Sequence, residues 1–216
     1  RMANYATREE MLAAFGPFAP LFEPLGGERV PYYVLLSMSS ERAAVIVEAV
    51  RGACREPAAE THLLTLLRDV NWRAQIVGVV GAWFISPEPV LAQLWRAFDA
   101  GSWISPQHAA LLSLRDSNFP EQARRRLANG CPTRDDPEYR VTSPAEHRSA
   151  RGPAGPLLRS CKAVAALHAL LQAEEGEDFA PANSEELQAL ISQDRDRGDR
   201  IALSWRKRFL EVIGEG

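Results

Sequence analysis

The chain has 216 residues, of which 46% are hydrophobic and 25% are charged, a composition typical of a soluble globular protein with a sizeable core. Its net charge of −3 gives no support for nucleic-acid binding by the chain as a whole, although it does not exclude a local basic patch. The three cysteines and four histidines form no CxxC, HExxH or other recognised ligand spacing, so we predict no metal, no cofactor and no disulfide framework. The longest uncharged apolar stretch, residues 74–87, is too short to span a membrane, and we expect a cytoplasmic protein.

Residues 1–39 are predicted to form an N-terminal cap. Thr7 and Glu10 have the spacing of a capping box, which predicts a short helix over residues 8–15. The proline-rich segment 17–31 also contains bulky apolar side chains, so we expect an ordered loop that packs on the body of the protein. For residues 32–38, which are apolar and aromatic, helix and strand remain open.

A ten-residue stretch, 63–72, recurs as residues 110–119 with five identical positions. An offset of 47 residues is typical of stacked helical repeats, in which no unit buries its apolar face alone. Asp and Asn in the shared turn are expected to bond to their own backbone and to cap the helix that follows. We assign a structural role in the repeat to Asp69, Asn71, Trp72, Asp116, Asn118 and Phe119.

The repeat region, residues 40–130, is predicted to hold two units of three helices each, at 40–84 and 87–129. The helix over 72–84 is apolar nearly all round and is therefore expected to be buried at the centre. Ser105 is predicted to be the N-cap of a helix whose first residue is Pro106. The six helices are expected over residues 40–55, 58–68, 72–84, 87–100, 106–115 and 120–129.

The Leu-Leu-Arg-Asp turn followed by Trp72 and Arg73 resembles a bacterial HEAT-like pattern, in which a turn Asp precedes an apolar–Arg pair. In that pattern the Arg lies about two residues further from the Asp, and the second unit here has Pro120 where the Arg would stand. Three helices per unit is closer to armadillo geometry. The resemblance covers residues 40–129 and implies an all-α fold, a short right-handed α-solenoid of HEAT/armadillo-like repeats with capping helices at both ends.

Residues 131–156 are predicted to be irregular, either a functional loop or a disordered segment. Residues 157–216 are predicted to form C-terminal helices, so that the chain 1–216 is a single all-α domain. On one of these helices Cys161 and His168 share the apolar arc, and core packing is favoured over a site for both.

Folds of this kind offer extended surfaces that hold other macromolecules. We therefore predict a non-catalytic binding module with a protein partner, either an adaptor or an inhibitor of the immunity type. Trp103 is expected to be exposed in its short loop, whereas Trp72, Trp83 and Trp95 are expected in the core. Arg73 should meet Asp69 or Asp116, as a tie between repeats rather than a ligand clamp. The candidate partner-binding residues are Trp103, Arg73, Arg124, Arg125, Arg134, Arg140, Arg148 and Arg151, although nearby acidic residues make a solvated face the favoured interpretation of the arginine-rich segments.

An alternative function comes from alkylpurine DNA glycosylases, some of which are built from HEAT-like repeats. Trp72, Trp103, Asp69 and Asp116 supply the residue types that such a site uses, but they match no family motif position by position. The negative net charge also counts against nucleic acid. Arginines lining the groove would favour DNA, whereas arginines scattered on the convex side would favour a protein partner.

Overall fold

A computed structural model describes residues 7–23, 30–39, 41–129, 161–176 and 185–214, and within these ranges the chain is helical and contains no strand. The predicted all-α class is therefore confirmed. Within the same ranges, no helix combines the length and apolar character that crossing a bilayer requires. The helices are α1 (Arg8–Phe15), the 3₁₀ helix (Gly16–Phe22), α2 (Tyr32–Leu35), α3 (Ala43–Ala53), α4 (Ala59–Arg68), α5 (Trp72–Gly81), α6 (Pro87–Asp99), α7 (Ser105–Arg115), α8 (Phe119–Asn129), α9 (Cys161–Glu175), α10 (Glu185–Ser192) and α11 (Gly198–Ile213).

The N-terminal elements follow the local signals of the sequence. Both bonds of the predicted capping box are present, from the Glu10 amide to Thr7 Oγ1 at 3.1 Å and from the Thr7 amide to the Glu10 carboxylate at 3.3 Å. The first part of the proline-rich segment is a 3₁₀ helix that buries Phe18 and Leu21, so the predicted packing on the body is confirmed there. The undecided aromatic stretch contains the four-residue helix α2.

The repeated turns after α4 and α7 are built alike. Asp69 Oδ1 accepts the Asn71 amide at 2.8 Å, and Asp116 Oδ1 accepts the Asn118 amide at 2.9 Å. The Asn71 side chain then caps α5 by accepting the amide of Arg73 at 3.1 Å. The predicted bonds to nearby backbone are thus present for Asp69, Asp116 and Asn71, and each spans only two positions.

The helices of the repeat region differ from the predicted bounds by up to three residues, and two of these differences have a local cause. Ser105 is the first residue of α7 rather than its N-cap, because its hydroxyl donates back to the Ser102 carbonyl at 2.6 Å. Helix α5 ends at Gly81, where the Phe84 amide bonds to the Gly81 carbonyl in a tighter 3₁₀-type turn. The predicted irregular loop 131–156 lies outside the described residues.

Two helices share the centre of the structure. Residues 74–81 of α5 are all buried, as predicted, and so are residues 105–112 of α7. Helix α7 contacts α5, α6, α8, α9 and α11, and one continuous hydrophobic cluster runs from α1 to α11. Close packing of α4 on α5 requires a small residue at Gly78, where a Cβ atom would lie 2.9 Å from the Leu67 side chain.

A buried ion pair joins α6 to α8. Arg126 donates through Nε and Nη2 to the two carboxylate oxygens of Asp99, each at 2.8 Å, and both side chains are 4% exposed. The Arg126 guanidinium also lies 3.9 Å from the ring centroid of Trp95. Trp95 in turn donates to Asp116 Oδ2 at 2.7 Å. Arg126 is therefore a structural residue of the core rather than part of a basic surface.

Candidate partner-binding surface

Among the described residues four large hydrophobic side chains are exposed, and two of them lie on one face of the molecule. These are Tyr33 of α2, 40% exposed, and Trp103 of the loop between α6 and α7, 56% exposed. The half-buried Trp72 joins them, with ring centroids 5.8 Å from Tyr33 and 5.0 Å from Trp103. Tyr32 is buried, and its ring centroid lies 4.6 Å from that of Tyr33 and 5.8 Å from that of Trp72. We call Tyr32, Tyr33, Trp72 and Trp103 the aromatic patch.

A cationic side chain lies over each of the two tryptophans. The Arg73 guanidinium carbon is 4.6 Å from the Trp72 centroid, and Arg73 Nε donates to Tyr32 Oη at 3.1 Å. The Lys162 ammonium nitrogen is 5.0 Å from the Trp103 centroid. Cation–π attraction of this kind contributes roughly 0.5–1 kcal/mol at an exposed site. The two cations therefore help to order the rings and also give the patch positive charge.

Helix α2, which carries both tyrosines, is held in place from outside. A helix of four residues does not persist by itself, because nucleation costs more than so few hydrogen bonds return. Here three consecutive carbonyls at its end each accept a bond from a distant side chain. The donors are Trp205 Nε1 to Leu35 at 2.8 Å, Gln107 Nε2 to Leu36 at 3.0 Å and Arg208 Nη1 to Ser37 at 3.2 Å.

The loop that carries Trp103 is tied to the repeated turn after α4. Ser102 donates its hydroxyl to Gln75 Oε1 and accepts the Ile104 amide at 3.3 Å. The amide nitrogen of Gln75 donates to the Asp69 carbonyl at 2.7 Å. The segments that carry the two tryptophans of the patch are thus joined by the same hydrogen-bonded connection.

Lys162 is positioned by a close approach of α9 and α11. A Cβ atom added to Gly198 would clash with the Lys162 carbonyl oxygen, so only glycine fits at that point. Burial lowers the pKa of Lys162, and the charges of Asp196 and Asp194 oppose that shift. Asp194 already accepts the amides of Asp196 and Gly198, at 3.0 and 2.5 Å. Lys162 forms no ion pair within 4.0 Å with a described carboxylate.

Besides the two cations, Asp69 and Tyr32 also have shifted pKa values. Burial raises the pKa of Asp69, against the lowering effect of the amides of Asn71 and Val70. Burial and a hydrogen bond with Tyr33 raise the pKa of Tyr32, while its bond with Arg73 opposes the rise. Both groups keep more of their protonated form than they would in water.

The prediction that Arg73 pairs with the carboxylate of Asp69 or Asp116 is wrong. Arg73 bonds to Tyr32 and, more weakly, to Asn71 Oδ1 at 3.5 Å, and no ion pair joins it to a described carboxylate. The reason is local, because the Asp69 carboxylate is used inside its own turn and Asp116 binds its own turn and Trp95. Arg73 therefore ties α5 to α2 rather than one repeat to the next.

The structure brings Arg73 and Trp103 together and leaves the other predicted arginines elsewhere. Arg124 pairs with Glu175 at the far end of α9, roughly 20 Å along the helix from Lys162 at 1.5 Å per residue. Arg125 bonds to Gln122 on its own helix. Arg134, Arg140, Arg148 and Arg151 lie outside the described residues.

Among the other predicted residues, Trp95 is buried in the core, whereas Trp72 and Trp83 are only half-buried. Cys161 and His168 are half-buried on α9. No cluster of three metal-ligand side chains occurs in the described part of the chain.

Sequence reasoning missed Tyr32, Tyr33 and Lys162 as members of the surface. The only signal for Tyr33 was the aromatic run beginning at Tyr32. Lys162 stood out as one of two lysines among 25 basic residues, but nothing in the sequence placed it beside Trp103.

Comparison of the chain with protein-family models, with curated proteins and with solved structures finds no match.

Proposed function

We propose that this chain is a non-catalytic protein-binding module, an adaptor or an inhibitor of the immunity type, and that the aromatic patch is its partner-binding face. The observation that carries the proposal is the pair of exposed rings, Tyr33 and Trp103, which both contact the ring of Trp72. Tyr, Trp and Arg are the residue types that most often dominate the energy of protein interfaces. Rigid aromatic anchors also lose little entropy on binding.

The helix contacts support a HEAT-like arrangement as part of this proposal. Helices α4 and α5 form one contacting pair and α6 and α7 another, with further contacts of α4 with α6 and of α5 with α7. That pattern suits two stacked hairpins, and we infer a short right-handed α-solenoid closed by α9 and α11 as capping helices. These two hairpins are offset from the sequence repeat, in which α4 corresponds to α7 and α5 to α8.

A cytoplasmic location also belongs to the proposal. Cys54 and Cys161 are free thiols, and burial raises the pKa of Cys54 to about 12, so that it remains protonated. Unpaired cysteines are usual in a reducing compartment.

Affinity capture from cells that naturally produce the chain tests the proposal. We expect the wild-type chain to retain one stoichiometric protein after nuclease treatment and Trp103→Ala to lose it. Val45→Ala is the matched control, because Val45 is 67% exposed on α3 and lies outside the aromatic patch. A partner that Trp103→Ala retains as well as the wild type would contradict the proposal.

One observation favours the alternative, a DNA-binding protein of the alkylpurine glycosylase type. Asp69, whose pKa burial raises, lies three residues before Trp72 and is connected through Gln75 to the loop of Trp103. Against it, the described arginines near α9 are engaged elsewhere, Arg126 in the core and Arg124 with Glu175. Release of alkylated bases from duplex DNA that is lost in Asp69→Asn would establish this alternative.

A further inference from the structure

The aromatic patch has a charge as well as a shape. Resting on the function proposed above, we infer that its partner is a protein that binds through an acidic segment containing an aromatic or large aliphatic side chain. That side chain packs on Tyr33 and Trp103, and flanking carboxylates pair with Arg73 and Lys162. The apolar anchor supplies buried area, and the charges supply orientation and specificity.

The two cations are available for a partner's carboxylates. The hydrogen-bond partners of Arg73 are neutral groups, the Tyr32 and Tyr33 hydroxyls and the Asn71 side-chain oxygen, and its guanidinium also lies over the Trp72 ring. Lys162 lies over Trp103 and makes no ion pair with a described carboxylate. A carboxylate that docks beside each of them gains a charge-assisted hydrogen bond, and such bonds are about twice as strong as neutral ones.

The same cations exclude the opposite kind of ligand. A cluster of tyrosine and tryptophan rings is the usual receptor for an alkylammonium group. Here Arg73 lies over Trp72 and Lys162 over Trp103, so an incoming cation would find two ring faces occupied and would meet like charge. Like-charge juxtaposition at an interface costs several kcal/mol. The patch is thus selective against basic segments.

The geometry limits how the acidic residues are spaced. The Arg73 guanidinium carbon lies 4.6 Å from the Trp72 ring centroid, which lies 5.0 Å from that of Trp103. The Lys162 ammonium nitrogen lies a further 5.0 Å from the Trp103 centroid. The two charged groups are therefore no more than about 15 Å apart, a span that four or five residues of extended chain cover at roughly 3.3 Å each. A matching segment has one apolar residue between acidic residues on both sides.

A nucleic acid fits the same surface less well. Single strands need a continuous positive groove that follows the phosphates as the bases stack. On the described surface the patch offers two separate cations, Arg73 over Trp72 and Lys162 over Trp103, rather than a continuous row of positive charge. A short acidic peptide needs only the two cations and the exposed rings.

Fluorescence anisotropy with defined peptides tests the inference. The probe is a fluorescein-labelled seven-residue peptide with a central Phe and two Glu on each side, and the comparison peptides carry Gln or Lys in place of Glu. We expect the acidic peptide to bind at least tenfold more tightly than the Gln peptide and the Lys peptide not to bind. Higher salt should weaken the acidic complex.

Variants assign the charge effect to one residue. Lys162→Gln should weaken the acidic peptide about tenfold and leave the weak binding of the Gln peptide unchanged. The matched control is Lys207→Gln, because Lys207 is the second of the two lysines and its side chain is 79% exposed on α11. Circular dichroism of each variant confirms that it is folded.

Three results would overturn the inference. These are equal affinity for the acidic and Gln peptides, equal effects of the two lysine variants, and no binding of the acidic peptide where an oligothymidine binds. If affinity capture still depends on Trp103 while Lys162→Gln changes nothing, the patch is the binding face and only its preference for acidic partners is wrong.

Discussion

At the scale of single residues, His108 is a buried polar group whose hydrogen bonding is only half complete. It lies on α7 with no exposed surface; Nδ1 bonds with the Ile104 carbonyl at 3.2 Å, and Nε2 has no partner within the described residues. Burial lowers its pKa to about 4, against the smaller opposing effect of that bond. The folded chain therefore holds this imidazole neutral.

His108 should make the protein less stable in acid. The unfolded chain takes up this proton near pH 6.5 and the folded chain only near pH 4, so stability is complete above pH 6.5 and falls as the pH drops towards 4. The difference between the two pKa values corresponds to about 3 kcal/mol. Urea unfolding of the wild type and of His108→Leu at several pH values measures this pH-dependent contribution to stability. Parallel stability curves would show that the pKa of His108 is not lowered.

Removing one charge from the buried pair of Asp99 and Arg126 should lower the unfolding free energy far more than removing one charge from an exposed pair. Asp99→Asn leaves a buried guanidinium without its counter-charge, at an expected cost of about 3–5 kcal/mol in unfolding free energy. Glu23→Gln, which breaks an exposed pair with Arg8, should cost less than about 1 kcal/mol.

Replacing both members of the buried pair tests whether the uncompensated charge causes the loss of stability in Asp99→Asn. Because Asp99→Leu with Arg126→Met removes both buried charges together, much of the lost stability should return. Urea unfolding provides the comparison. A double variant as unstable as Asp99→Asn would mean that shape at this position, and not the uncompensated charge, determines the cost.

At the scale of elements, the contact between α9 and α11 depends on Gly198. Gly198→Ala should destabilise the fold by about 1–3 kcal/mol, because the new Cβ clashes with the Lys162 backbone. Gly52→Ala is the control: no other group lies within 4 Å of its Cβ position on α3, and alanine should stabilise that helix by roughly 0.5–1 kcal/mol. Thermal unfolding compares the two variants, and equal changes in their stability would contradict the close approach of α9 and α11.

The helices that the sequence predicted correctly are those whose signals are local. The capping box of Thr7 and Glu10 and the two repeated turns depend on bonds between residues two or three positions apart. Helix α2 was undecidable because it is stabilised by donors about 70 to 170 residues away, such as Gln107 and Trp205. The partner of Arg73 was mispredicted for the same reason, since Tyr32 is 41 positions distant.

At the scale of the whole molecule, the candidate site is a product of tertiary structure. Its rings and cations come from α2, α5, the loop before α7 and the first turn of α9. The sequence analysis named two of its members, Trp103 and Arg73. The short loop around Trp103 left that side chain little to pack against, and its predicted exposure is confirmed. The grouping of Trp103 with Tyr33 and Lys162 depends on contacts with α7 and α11 that no spacing along the chain expresses.

The most direct test of the aromatic patch as the binding face is an NMR titration of the tryptophan indole N–H signals with the unlabelled captured partner. The chain has five tryptophans, and single replacements by phenylalanine assign their signals. Trp95 and Trp205 serve as internal controls, because their indoles bond within the core to Asp116 and Leu35. We predict that the signals of Trp72 and Trp103 shift or broaden while those of the two controls do not. An unchanged Trp103 signal in the presence of bound partner would contradict the account.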